Sequence, residues 1–172
     1  MNVSNEEEMH STGSAMAEIQ LSNLSKRWGN FVAVDNFDLT IRDKEFLVLL
    51  GPSGCGKTTT MRMIAGLEDV TEGEIRIDGI LVNDLEPKDR DVAMVFQSYA
   101  LYPNMNVYEN MRFPLKVRGI DRSTHEEKVM RAADMVELRE FLHRKPAQLS
   151  GGQRQRVALA RAIVREPNVF LM

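Results

Sequence analysis

Phe46-Leu47-Val48-Leu49-Leu50-Gly51-Pro52-Ser53-Gly54-Cys55-Gly56-Lys57-Thr58-Thr59 is the stretch that decides the fold. Its first five residues are an unbroken apolar run, the pattern of a strand buried on both faces. A glycine-rich turn follows, and residues 57–67 then read as a helix. The spacing from Gly51 through Gly56-Lys57-Thr58 is that of a phosphate-binding loop. Chemistry accounts for the residue types. Glycines let the backbone curl so that successive N–H groups point inward at phosphate oxygens, where a side chain would block the approach. The helix start adds unpaired N–H donors and the positive end of its dipole. Lys57 supplies a mobile point charge, and the Thr58 hydroxyl suits Mg²⁺. An ordinary glycine turn between strand and helix is the plainer alternative. A strand before the turn and a helix after it favour nucleotide binding.

The whole chain sets the frame around that loop. At 172 residues it is about one domain long, enough for a substantial core. A net charge of −3 gives no broad basic surface, which argues against a nucleic-acid partner. No apolar segment approaches the roughly 20 residues that cross a bilayer, and no signal peptide is visible, so a soluble intracellular chain is expected. Cys55 is the single cysteine; it excludes an internal disulfide and fits a reducing compartment. Its seat at a helix start should lower its pKa. The plainer reading is that a small residue fits the loop there.

Taken in order, residues 1–15 are polar and read as a disordered tail, with Met16 as an alternative start. Ile19, Leu21 and Leu24 mark a half-buried strand, followed by a polar turn, Lys26-Arg27-Trp28-Gly29-Asn30. Trp28 reads either as core packing or as a flat face for adenine. Residues 37–41 alternate as a second strand. Asp78-Gly79, between residues 74–77 and 80–82, is the strongest short hairpin signal. Residues 92–96 form another buried run ending at Gln97, either a surface residue or a holder of metal or water, since ligands of open α/β sheets gather at strand ends. Residues 98–115 read as irregular and residues 126–142 as helical, so that 98–148 looks like a mainly helical insertion. Ser150 is a natural N-cap for a helix running to Arg165 before Pro167 stops it. Arg154, Arg161 and Arg165 share one stripe, expected to be solvated or paired with acids. Ser150-Gly151-Gly152 reads as a second bare helix start, a second place for an anion. Residues 169–172 begin a further apolar strand.

Together these residues resemble the ATP-binding subunit of ABC transporters, in order from Ala17 to Met172. Gly51 to Thr59 matches the Walker A motif. Gln97 within Val95-Phe96-Gln97-Ser98-Tyr99-Ala100-Leu101-Tyr102-Pro103 matches the Q-loop, and Leu149-Ser150-Gly151-Gly152-Gln153 matches the signature motif. The wording around Gln97, and Arg144-Lys145-Pro146, are most similar to importers of maltose, other sugars and glycerol phosphate. The resemblance implies an α/β fold, the P-loop NTPase fold of ABC ATPases. Its β-rich part comes first, it spans residues 16–172, a helical subdomain covers about 98–148, and it is incomplete at the C-terminus. It implies ATP held by Trp28, Gly51, Pro52, Ser53, Gly54, Cys55, Gly56, Lys57, Thr58, Thr59 and Gln97, with Mg²⁺ on Thr58 and Gln97 and water positioned by Gln97. It implies a second ATPase subunit whose Ser150, Gly151, Gly152 and Gln153 reach the same γ-phosphate in trans. It further implies transmembrane permease subunits docked on residues 97–103, including Tyr99 and Tyr102, a solute-binding protein acting indirectly, and a peripheral seat on the cytoplasmic face of a prokaryotic membrane.

Residues 169–172 resemble the start of Walker B, whose Asp-Glu, D-loop and switch histidine do not occur in this chain. None of His10, His125 and His143 stands in a matching place. The expectation is a fragment that binds nucleotide weakly, does not turn it over and exposes apolar edges. Two other readings stand beside the importer subunit: a soluble ABC ATPase without transport, and a non-catalytic nucleotide-binding remnant. A P-loop kinase accounts for the Walker A loop but not for the Ser150 helix start.

Overall fold

The computed structural model describes residues 17–172 except Gln97, so the expected tail, the Met16 start and the expected roles of Gln97 lie outside the described residues. The chain first builds an antiparallel sheet. Strand β1 (Ile19–Trp28) pairs with β2 (Phe31–Ile41), Ile19 opposite Ile41 and Trp28 opposite Phe31. Strand β3 (Glu72–Ile77) lies on the other side of β1 and turns back through β4 (Ile80–Leu81), giving the order β2-β1-β3-β4. The β3–β4 turn is the expected one, with positive φ at both Asp78 and Gly79, as a two-residue hairpin of this twist requires. Alternation puts Ile19, Leu21, Ile75 and Ile77 on the core face. It fails in β1 at Asn23 (φ 49°), where the register shifts and Leu24, Ser25 and Lys26 are buried in succession. β2 also starts six residues earlier than the alternation at 37–41 implied.

A second, two-stranded sheet is parallel: β5 (Val92–Met94) pairs with β6 (Val169–Leu171). Both strands are apolar and both join the same core as the antiparallel sheet. The expected strand at residues 46–50 is not formed. Phe46 is 81% and Leu50 87% exposed, while Leu47 and Leu49 are half-buried. The period of two survives, but a strand also needs a ladder partner, and neither sheet extends a hydrogen-bonding edge to this run.

Helix α1 (Lys57–Ile64) is three residues shorter than the sequence implied. Gly66, at φ 74°, turns the chain out of it: Leu67 N–H donates to Arg62 O and Gly66 N–H to Met63 O, a closed C-terminus. The helical part has its own core, made by α2 (Val107–Val117), α3 (His125–Met135) and α4 (Gly151–Ile163). Helix α2 corrects the irregular reading of 98–115. Asn106 and Glu109 form a reciprocal cap, and Val107, Met111 and Leu115 recur at four-residue spacing on the buried face. Pro114 inside the helix hides this pattern from a propensity reading. Helix α3 is shorter than 126–142, because Glu137 at φ 54° ends it and Leu138 N–H closes onto Ala133 O.

Candidate functional site

The Gly51–Thr59 loop is shaped by contacts at its two ends. Gly56 is the N-cap of α1 at φ 88°, and a Cβ there would stand 2.5 Å from Ala33 O and 3.0 Å from Val34 Cγ2. Strand β2 therefore presses the loop where only glycine fits. No side chain caps α1, so its first N–H groups stay available at the loop mouth. The Thr60 hydroxyl donates to Gly56 O at 3.0 Å and steadies the first turn. Lys57 Nζ spans the loop, donating to Gly51 O at 2.7 Å and Pro52 O at 2.8 Å. It also donates to Cys55 Sγ at 3.1 Å, and this hydrogen bond is the main reason the exposed Cys55 thiol sits below its usual pKa. Pro52, Ser53, Gly54 and Thr58 are exposed and Thr59 is half-buried. A cavity of about 280 Å³ adjoins the loop, lined by Ala33, Asp35, Leu49, Lys57 and Thr60 among others.

Trp28 is the last residue of β1 rather than part of a turn, because β2 begins at Phe31 and pairs with it. Trp28 is 46% exposed, and its ring stacks on Phe31 with centroids 6.1 Å apart and planes 11° apart. Trp28 Nε1 donates to Glu68 at 3.2 Å, and Lys26 Nζ lies 5.3 Å from the ring centre. The same lysine, by its hydrogen bond, holds the Glu68 carboxyl below the usual carboxylate range. Phe31 precedes Ala33 by two strand positions, about 7 Å along β2. The aromatic pair is thus an open platform near the start of α1.

The Ser150 start of α4 is not bare as expected. Ser150 Oγ accepts from Gln153 N–H at 3.2 Å, and Gln153 Oε1 accepts from Ser150 N–H at 2.8 Å. This capping box uses two donors and leaves Gly151 and Gly152 exposed at the tip. Among the described residues, no hydrogen bond or ion pair joins Ser150–Gln153 to the Gly51–Thr59 loop. The two helix starts belong to different cores, α1 to the sheet and α4 to the helices. One chain brings the P-loop residues together, but not these with the signature residues.

Two side chains hold the segment after Gln97, and the first of them was not singled out by sequence reading. Asn110, fully buried in α2, accepts from Tyr102 N–H and donates to the carbonyls of Tyr102, Met105 and Asn106. Its signal was a polar residue on the apolar face of 107–115. Arg161 corrects the basic stripe: it is half-buried, pairs with no acid among the described residues, and donates to Ala100 O and Tyr99 O. Arg154 likewise bonds a backbone carbonyl, that of Leu149. An apolar groove of about 330 Å³, lined by Phe96, Tyr102, Phe113, Val117 and Arg161 among others, opens beside this segment.

Comparison with known proteins gives the family and the fold. The sequence profile described as "ABC transporter" matches residues 34–172. The multiple sugar-binding transport ATP-binding protein MsmK of Streptococcus mutans is 58% identical over 159 residues, 91% of this chain and 42% of that protein. The sn-glycerol-3-phosphate import ATP-binding protein UgpC of Burkholderia mallei is 59% identical over 157 residues, 91% of this chain and 44% of that protein. This chain thus spans less than half the length of such relatives. Among solved structures, a dimeric bacterial ABC transporter cassette, MJ0796, superposes with a TM-score of 0.80 at 37% identity, over 88% of this chain and 72% of that one. A second structure of that cassette, bound to ADP and Pi in a post-hydrolysis state, matches equally well at 36% identity. The architecture is therefore that of an α/β ABC ATPase cassette.

Proposed function

This chain belongs to the ABC transporter family, and on that premise we propose that the intact protein is an ATP-binding subunit coupling ATP binding and hydrolysis to import of a sugar or a glycerol phosphate. The observation that carries the proposal is the uncapped, glycine-shaped start of α1 with the Lys57 ammonium folded across it. The relatives' names supply the solute class. In this reading Gly51, Pro52, Ser53, Gly54, Cys55, Gly56, Lys57, Thr58 and Thr59 wrap the phosphates with backbone N–H groups. Lys57 exchanges its loop carbonyls for β- and γ-phosphate oxygens, and the Trp28–Phe31 platform stacks the adenine.

Magnesium fits this donor set. Among the described residues no group of three or more His, Cys, Asp or Glu side chains could hold a metal, and Mg²⁺ is ordinarily held by substrate phosphates plus one or two protein oxygens. Thr58 Oγ1 is one such oxygen, and Gln97 is proposed as the second and as the group orienting water. Bound Mg²⁺ neutralises charge that develops on the phosphates.

A second subunit completes the site. Gly151 and Gly152 are exposed, and among the described residues no hydrogen bond or ion pair joins Ser150–Gln153 to the chain's own P-loop, which supports use of Ser150, Gly151, Gly152 and Gln153 on a partner's nucleotide. No helix among the described residues is long and apolar enough to cross a membrane, and the importer relatives support permease subunits as the membrane partners. The groove beside residues 97–103 is the surface proposed for them, at the cytoplasmic face, with a solute-binding protein acting through the permease. The test is binding of labelled Mg-ATP to the intact protein and to Lys57→Ala. At least a tenfold loss of affinity in the variant is expected, and equal affinity would overturn the proposal.

A further inference from the structure

The corner at Tyr99-Ala100 is the strangest piece of backbone in the helical part. Both residues have positive φ, 61° and 44°, although neither is glycine. Such a pair reverts to ordinary backbone unless its surroundings hold it. A turn bond from Tyr99 N–H to Phe96 O at 2.9 Å closes one side of it, and one side chain holds the carbonyls of both residues. Arg161 Nη1 donates to Ala100 O at 2.6 Å and Nη2 to Tyr99 O at 3.0 Å, two carbonyls of consecutive residues matched to the planar fork. The same guanidinium lies 5.7 Å from the Tyr102 ring centre. Among the described residues no carboxylate pairs with it, and its protein partners there are these carbonyls and the ring.

Arg161 stands near the far end of α4, whose tip is Gly151-Gly152. At 1.5 Å per residue the two are about 15 Å apart along one rigid helix. We propose that Arg161 is a positioning residue: it fastens the strained corner of the segment after Gln97 to the signature helix, so that anion contact at the Ser150 end of α4 is felt at residues 98–102. The element biased is the corner itself, with two states, held in left-handed backbone by the fork or released. This rests on the proposed ATP-binding role, since the anion at the tip is the nucleotide's. Asn110 grips Tyr102 from α2, so release starts at residues 99 and 100 rather than along the whole segment.

Hydrogen–deuterium exchange of residues 98–102 in the intact protein, with and without Mg-ATP, tests the link, together with Arg161→Ala and Arg161→Lys. In the native protein Mg-ATP should change exchange there at least about fivefold. Both variants should bind Mg-ATP within about twofold of native affinity, yet lose that response. Lysine keeps charge and stem but cannot fork to both carbonyls, so it should restore stability without restoring the response. It also carries the test if the alanine variant does not fold. A native response persisting in Arg161→Lys, or no response in a native protein that binds Mg-ATP, overturns the inference. A native protein that fails to bind Mg-ATP would instead overturn the proposed function.

Discussion

Replacing Arg90 by alanine tests how helix α1 is anchored from behind. Arg90 is 6% exposed and donates to four carbonyls. Nη1 reaches Met63 O at 2.7 Å and Ile64 O at 3.2 Å, Nε reaches Leu85 O at 2.9 Å, and Nη2 reaches Asn83 O at 2.9 Å. The first two close the C-terminus of α1, so a cation sits at the negative end of the helix that presents Lys57 at its other end. Met63 O keeps the Gly66 N–H in the variant, while the other three carbonyls lose the only donor the described residues give them. Ile64 O is buried and Asn83 O and Leu85 O are part-buried; stranding a buried acceptor costs about 1–3 kcal/mol, and water reaching the vacated space holds each near the low end. The expected loss is therefore about 3–4 kcal/mol, a large share of an ordinary domain's stability. Arg90→Lys, which can satisfy part of the set, should lose about half as much. Urea denaturation of the intact protein is the assay, read as a lowered midpoint with unchanged slope. Loss below about 0.5 kcal/mol would show that the four bonds are not what holds α1.

Cys55 should be alkylated by iodoacetamide faster than a free cysteine at neutral pH, because the Lys57 ammonium favours its thiolate. The rate rises with pH through the thiol pKa, and Lys57→Ala should move that rise to higher pH, measured as rate against pH; an unmoved profile would rule out Lys57 as the cause. Trp28→Ala should weaken ATP binding by about 1–3 kcal/mol while Trp28→Phe keeps most of it, measured by nucleotide titration; equal affinities would remove the platform from the site. Asn110→Leu should cost about 2–4 kcal/mol by thermal or chemical unfolding, since it strands the Tyr102 N–H and the Met105 carbonyl, while Tyr102 O keeps the Met105 N–H.

Features fixed by neighbours in sequence were legible without coordinates. Asp78-Gly79 dictates its own turn, and Ser150 begins α4 because its hydroxyl reaches a donor three residues on. Features fixed by distant partners were not. Residues 46–50 have the composition of a buried strand, but strand formation needs a partner edge, which composition does not report. Helix α2 was lost behind Pro114, although Asn106 and Glu109 announce its start. The opening of α4 read as bare because serine was counted as a cap without counting the donors it consumes. Arg161 read as solvated because helical spacing gives its side of α4 and not the carbonyls of Tyr99 and Ala100, some sixty positions away. The P-loop pattern stood out because its residues lie in one contiguous segment.

Mixing two variants of the intact protein, Lys57→Ala and Gly152→Asp, and measuring Mg-ATP turnover tests most directly whether two chains share each nucleotide. Each variant alone lacks one of the two helix starts in every site. Random pairing puts both types in about half of the dimers, and each such dimer has one site with an intact α1 start and an intact α4 start. Turnover should therefore reappear on mixing and grow as subunits exchange. A mixture as inactive as its components, both folded and beside an active native protein, would contradict a site built from two chains.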